Sequence, residues 1–259
     1  MYKLKNLVDT HLHLYDDTYD ENRDEIIKQI NKKLDFIVNI SCDYETSLSC
    51  IEYANNNDKM FATIGYHPCD ISKYDEDKMK ELINISKNNN KIVAIGEIGL
   101  DYHWMNDPIE VQKEGFKKQI ELAIENDLPI VIHTREALED TLEIVKSYPK
   151  LKGIMHCYPG SYEEVLPILD RFYVGVGGTV TFKNNKIGHE MVEKMPIDRI
   201  VIETDSPYLT PVPFRGKPNN PVYVEYVVNK IAEIKNMDVE EVKRITTENA
   251  KKVYGICIK

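Results

Sequence analysis

A chain of 259 residues, 42% hydrophobic and 29% charged, can bury a sizeable core and is long enough for one eight-unit α/β barrel or two ordinary domains. No apolar run approaches the ~18 residues of a membrane span, and no apolar stretch with a cleavage site follows Met1-Tyr2-Lys3-Leu4-Lys5, so a cytoplasmic location without membrane attachment is expected. The formal net charge of -10 is the wrong sign for a protein that coats nucleic acid through a basic surface, so a polyanionic substrate would have to be held by metal ions and local basic residues.

The first apolar run, 6–12, leads through Leu7-Val8-Asp9-Thr10-His11-Leu12-His13. Strand side chains alternate faces, so His11 and His13 leave the same face and two imidazoles converge on one point. Such a pair is a metal-ligand arrangement or, taken alone, surface decoration. Further runs at 36–41, 60–66, 91–98, 129–133, 152–157, 172–177 and 199–204 alternate with amphipathic stretches, one unit about every 30 residues. Ile26, Ile27, Ile30 and Leu34 space one helix face, and Val224, Val227, Val228, Ile231 and Ile234 another. Asp107-Pro108-Ile109-Glu110 reads as an N-cap, a proline at N1 and a capping-box glutamate, and Asp238 with Glu241 repeats the capping arrangement before a last helix ending near Tyr254. The cysteines Cys42, Cys50, Cys69, Cys157 and Cys257 are scattered and form no C-x-x-C, which argues against a disulfide framework or a thiolate zinc site.

No linker or low-complexity segment divides the chain, and no G-x-G-x-x-G follows the first strand. The alternation therefore predicts a single (β/α)8 TIM-type barrel over 1–259 rather than an open doubly wound sheet. The proline-rich stretch from Pro207 to Pro221 becomes a long loop after the eighth strand, on the face where barrel sites are built.

The polar residues suit that expectation. Glu97, His133, His156 and Asp205 are expected at the ends of strands four, five, six and eight, joining His11 and His13 at the end of strand one. Taken singly, each has an ordinary alternative: a hydrogen-bonded core histidine, an ion-pair partner, a helix cap. Together on one rim, in strands buried on both faces, their charge calls for compensation, and a metal cluster is the simplest one. The imidazole and carboxylate mix suits zinc, manganese or iron better than a pure magnesium site, and six ligands exceed the needs of one tetrahedral catalytic ion.

Several segments around these residues are distinctive: Asp9-Thr10-His11-Leu12-His13, Gly65-Tyr66-His67-Pro68, Gly96-Glu97-Ile98-Gly99-Leu100-Asp101-Tyr102, His133-Thr134-Arg135-Glu136-Ala137, His156-Cys157-Tyr158-Pro159-Gly160, Glu203-Thr204-Asp205-Ser206-Pro207-Tyr208-Leu209, Arg215-Gly216-Lys217-Pro218-Asn219 and Thr247-Glu248-Asn249-Ala250. In these, and in their order, the chain resembles the TatD-type metal-dependent deoxyribonucleases, within the broader amidohydrolase-like barrels. It departs from them at Tyr158-Pro159, where Phe-Ser is more frequent, and at Glu136, where Asp is usual. The resemblance implies a two-metal phosphodiesterase with two divalent ions, zinc, magnesium or manganese. His11, His13 and Asp205 would hold one ion, His133 and His156 the other, with Glu97 bridging. Ions roughly 3.5 to 4 Å apart lower the pKa of a shared water and stabilise both oxygens of an in-line displacement. Asp205 is the candidate proton acceptor, so Asp205 and Glu97 are the expected catalytic residues. Glu203 shares the strand face of Asp205, as a supporting contact or as a structural ion pair.

The resemblance also suggests substrate contacts from His67, Arg135, Arg215 and Lys217 on rim loops. Thr210 to Val222 contains no acidic residue, a local reversal that suits a polyanion or simply a solvated loop. Trp104 either stacks on a base or packs its loop. The expected substrate is DNA, single-stranded or at 3′ ends, cut by a monomer without an obligate protein partner. The rival is an amidohydrolase-type enzyme for an amide, ester, lactone or aminoacyl bond. Such relatives often bridge their metals with a modified lysine, whereas strand four here supplies Glu97. A non-enzymatic scaffold is the third class, and it would normally have lost a ligand.

Overall fold

The computed structural model describes residues 6–257. Eight strands, β1 (Val8–Leu12), β2 (Phe36–Asn39), β3 (Met60–Ile64), β4 (Ile92–Asp101), β5 (Ile130–Arg135), β6 (Gly153–Met155), β7 (Phe172–Val176) and β8 (Ile200–Ile202), lie side by side in chain order. Every neighbouring pair is parallel. The ring closes because the chain beyond β8 reaches β1: the Asp205 N–H donates to the His11 carbonyl at 2.9 Å and the His13 N–H to the Ser206 carbonyl at 2.8 Å. This is the predicted TIM-type barrel. Its strands are rich in buried Val and Ile, as strands covered on both faces must be, and the polar residues among them include those of the site.

The helices between strands are α1 (Arg23–Lys33), α2 (Tyr44–Asn55), α3 (Glu76–Ser86), α4 (Ile109–Glu125), α5 (Leu138–Ser147), α6 (Tyr162–Val165) and α7 (Lys186–Lys194), and α8 (Val224–Lys235) and α9 (Val239–Tyr254) follow β8. α1 buries Ile26 and Ile30, and α8 buries Val224, Val227, Val228 and Ile231, the faces that periodicity marks. Asp238 caps α9 by accepting from the Glu240 and Glu241 N–H groups. Asp107 does not cap α4 as predicted. The helix starts after Pro108, and the Asp107 carboxylate instead accepts from the Ser72 N–H at 3.0 Å, a tertiary partner outcompeting a local one. Among the described residues no helix is long and apolar enough to cross a membrane.

Buried amides fasten helices to the strand ends that carry the site. On α4, Gln119 accepts from the Tyr66 N–H and donates to the Tyr66 carbonyl, while Gln112 does the same for Asp101. On α9, the Asn249 amide donates to the carbonyls of Ile197 and Ile200, which explains the last segment of the family resemblance as an anchor for β8. Each closes backbone groups that a buried loop would otherwise leave unpaired.

The strand ends differ from expectation in one respect. Glu97 and His133 sit inside β4 and β5 rather than at their ends, because these strands run on as a paired arm from Ile98 against Ile132 to Asp101 against Arg135. His156 and Asp205 lie beyond β6 and β8, which end early. Gly99 makes the arm possible: its φ is +146, and a Cβ there would lie 2.0 Å from the His133 carbonyl oxygen.

Candidate metal centre

The six predicted ligands converge inside the C-terminal rim. His11 and His13 leave β1 on one face, as strand alternation requires, and their Nε2 atoms stand 3.3 Å apart. Asp205 Oδ1 lies 3.6 Å from His11 Nε2 and 3.4 Å from His13 Nε2. Glu97 Oε2 lies 3.5 and 4.0 Å from the same nitrogens. A tetrahedral shell with bonds near 2.0–2.1 Å has edges of about 3.3–3.4 Å, so these donor atoms are already spaced for one divalent cation. Asp205 reaches this position through a left-handed backbone, φ 56, a conformation that aspartate tolerates better than most residues.

Glu97 turns its other oxygen to the remaining histidines. Oε1 is 3.0 Å from His133 Nδ1 and 3.8 Å from His156 Nε2. The His156 ring stacks on His11 with centroids 3.4 Å apart, and its Nε2 is 3.7 Å from Asp205 Oδ1. Donor atoms thus gather into overlapping groups, His11/His13/Asp205, His11/Glu97/His156 and His67/Glu97/His133, with Glu97 common to the last two. His67, expected as a substrate contact, lies beside the ligands, its ring centroid 4.4 Å from that of His133.

Supporting contacts orient His13, His133 and His156, whereas the buried His11 Nδ1 has no hydrogen-bond partner among the described residues. His13 Nδ1 lies 3.0 Å from the Ile40 carbonyl and 3.1 Å from the Tyr15 hydroxyl, which directs Nε2 inward. His133 Nε2 lies 3.0 Å from Asp101 Oδ2. His156 Nδ1 is 3.0 Å from Glu203 Oε1, an electrostatic contact outside hydrogen-bonding geometry, and the same oxygen accepts from the Cys157 N–H at 2.6 Å. Gly175 leaves room for that carboxylate, since a Cβ there would come within 2.5 Å of it. Asp9 ties the two ends of the first donor group together: Oδ1 accepts from the His11 N–H at 3.2 Å and the Thr204 N–H at 2.9 Å, and Oδ2 from the Thr204 hydroxyl at 2.5 Å.

Asp9 and Asp101 have no assigned role in the sequence reading. Parity pointed to Asp101, which falls on the Glu97 face of β4. The same parity puts Asp9 on the His11 face of β1, but its partner Thr204, 195 residues distant, gave no local signal.

The electrostatics are those of a charge-balanced cluster. Burial alone would raise Glu97, but the neighbouring His11 and His133 hold it well below the usual carboxylate range. Burial likewise pushes Asp205 up, and His156 and His13 outweigh it, leaving the carboxyl lowered. Burial and the adjacent His156 depress His11. For His156, burial is outweighed by Glu203 and Asp205, which lift it to about 9. Burial takes His67 down to about 3, so it stays neutral, and its Nδ1 accepts the Cys69 N–H at 3.1 Å, placing the ring proton on Nε2. Buried carboxylates here are offset by imidazoles that they keep protonated, so a divalent cation joining this donor set would take the place of those protons and release them.

The other predicted contacts occupy the rim. Arg135 is exposed at the end of β5, its guanidinium 5.4 Å from the Trp104 ring centroid. Arg215 and Lys217 are exposed on the loop after β8, where Arg215 lies 4.2 Å over the Phe182 ring. Glu136, one of the two departures from the family pattern, sits 2.8 Å from His103 Nδ1 through Oε1.

A family model described as TatD-related DNase matches residues 8–255. YabD of Bacillus subtilis, an uncharacterized metal-dependent hydrolase, is 45% identical over 254 residues, covering 96% of this chain and 99% of its own. An uncharacterized metal-dependent hydrolase of Methanocaldococcus jannaschii is 34% identical, covering 95% of this chain and 96% of its own. Among solved structures, YJJV, a TatD homologue from Escherichia coli K12, superposes with a TM-score of 0.91 at 23% identity over 98% of this chain and 100% of its own. A hydrolase TatD family protein from Entamoeba histolytica gives a TM-score of 0.83 at 26% identity over 96% of this chain and 97% of its own. Matched along nearly its whole length by that family model and by these relatives, the chain belongs to the TatD family of metal-dependent hydrolases.

Proposed function

We propose that this hydrolase is a deoxyribonuclease that removes nucleotides from single-stranded DNA or 3′ ends, using two divalent ions. The observation that carries the reading is the sharing of donors: overlapping groups meet at Glu97, with more nitrogen and oxygen atoms than one tetrahedral ion takes up. His11, His13 and Asp205 would hold one ion, His133 and His156 the other, and Glu97, facing both sets with different oxygens, would bridge. Bound ions would supply the electrophilic assistance and charge neutralisation that phosphodiester cleavage needs.

The residues of the chain do the rest. Asp205 keeps 14% of its side chain exposed while Oδ1 faces the imidazoles, so it meets both the ligand cluster and incoming solvent and accepts the proton of the attacking water. Neutral His67 offers its Nε2 proton to a phosphoryl oxygen beside the His133 side of the centre. Arg135 grips a phosphate at the mouth, and Arg215 and Lys217 meet the backbone farther out on a loop without carboxylates. The family description supports DNA as substrate, and a rim pocket suits a strand end better than an intact duplex.

Incubation of purified protein with end-labelled single-stranded DNA tests the reading, with chelator and with added zinc, manganese or magnesium. Metal-dependent shortening from the 3′ end is expected. Intact DNA under every metal, with turnover of small amide, ester, lactone or aminoacyl substrates instead, would replace the nuclease by the amidohydrolase-type activity.

A further inference from the structure

Trp104, the single tryptophan of the chain, is 61% exposed although the loop that carries it is tied down. Asp101 Oδ1 accepts both the His103 and the Trp104 N–H at 2.9 Å. The Tyr102 N–H donates to the Arg135 carbonyl at 2.9 Å, and the Tyr102 hydroxyl to Asp140 at 2.6 Å. An indole left open on a fastened backbone is not the by-product of a loose loop; within that loop its ring meets His103 at a near right angle, centroids 4.9 Å apart, and most of it stays exposed. Asp101 also holds His133 by its other oxygen, so the indole and a proposed metal ligand hang from one carboxylate. Arg135, from the same strand as His133, holds its guanidinium over the ring, 5.4 Å from its centroid.

We propose that Trp104 is a stacking platform for a nucleobase of the substrate, with Arg135 taking the adjoining phosphate; this rests on the nuclease reading above. An indole face attracts a planar π system, and a guanidinium grips an anion through paired N–H donors. Held close together, the open part of the indole and the guanidinium over it match a planar base joined to a phosphate. Because every base has a π face, such a platform selects nucleic acid without selecting sequence. Because paired bases in a duplex are already stacked on one another, it favours single strands. The link through Asp101 sets the platform at a fixed distance from the centre, so the stacked base registers the scissile bond.

The lone tryptophan is its own reporter. The metal-loaded protein is titrated with phosphorothioate-linked oligothymidylate and with an abasic oligomer of equal length and charge, following indole emission and the anisotropy of labelled oligomers. Oligothymidylate should quench the indole and bind about five-fold or more tighter than the abasic strand. Trp104→Ala should erase that preference and Trp104→Phe restore most of it. Equal binding of the two oligomers with unchanged emission overturns the platform and leaves the nuclease standing. If neither oligomer binds and ordinary DNA is not cut with zinc, manganese or magnesium, both proposals fall together.

Discussion

Where β8 meets β1, His11, His13 and Asp205 are fixed by a seam whose backbone is buried, through main-chain bonds and the buried Asp9. Where β4 meets β5, Glu97 and His133 sit in an arm whose outer end carries Asp101, Arg135 and the loop of Trp104. His133 keeps 19% of its side chain exposed, whereas that of His11 is fully buried. The contrast separates a half of the centre held by the architecture from a half held on the arm to which substrate handling is proposed. Substitutions in the seam should cost stability together with chemistry, and substitutions along the arm should cost chemistry or binding alone.

The largest effect is expected at Asp205, the seam residue that also meets solvent. Asp205→Asn keeps the volume but removes the proton acceptor, so turnover of single-stranded DNA should fall by about 10²- to 10⁴-fold with an unchanged circular dichroism spectrum. Near wild-type turnover would strike Asp205 from the mechanism. On the arm, Asp101→Asn should weaken metal affinity by about 10- to 100-fold, because His133 loses the anion that orients it. Equilibrium dialysis measures that loss, and thermal unfolding of the metal-free variant should barely change, since the β4–β5 ladder is untouched.

Asp9→Ala should show the opposite balance. It strips an acceptor from the His11 and Thr204 N–H groups inside the seam, for a loss of about 1 to 3 kcal/mol in chemical denaturation. A stable Asp9 variant paired with an unstable Asp101 variant would dissolve the distinction between the two halves. The smallest effect belongs to the rim loop. Replacing Arg215 and Lys217 with Ala should flatten the salt dependence of DNA binding by up to about 0.7 in log-log slope for each lost phosphate contact. Superimposable slopes would remove this loop from phosphate recognition.

The barrel was legible in the sequence because its signal is local. A strand buried on both faces must be a short apolar run, and a histidine or carboxylate within such a run stands out, as His133 does after Ile130-Val131-Ile132. Supporting residues gave no such signal. Gln112, Gln119 and Asn249 read as ordinary polar positions on helices, yet they close peptide groups on distant strands. Asp107 shows the reverse error, a convincing local cap motif whose carboxylate is taken by Ser72 across a loop. The length of β4 was hidden because Gly96 and Gly99, which look like breakers, are what let the strand pass close to its neighbour.

The closing seam also has a meaning in time. A ribosome adding about 5 to 20 residues per second needs about 10 to 40 s to travel from Asp9 to Thr204, since 195 residues separate them. Through that interval the edge of β1 that β8 will cover has no partner, and the paired histidines at its end wait without Asp205. The nascent chain can assemble the central units one after another, but its outermost strands meet only when the eighth has emerged. Completion of the donor set therefore reports emergence of the eighth strand, and a polypeptide cut short before Thr204 cannot form the seam around its first two histidines.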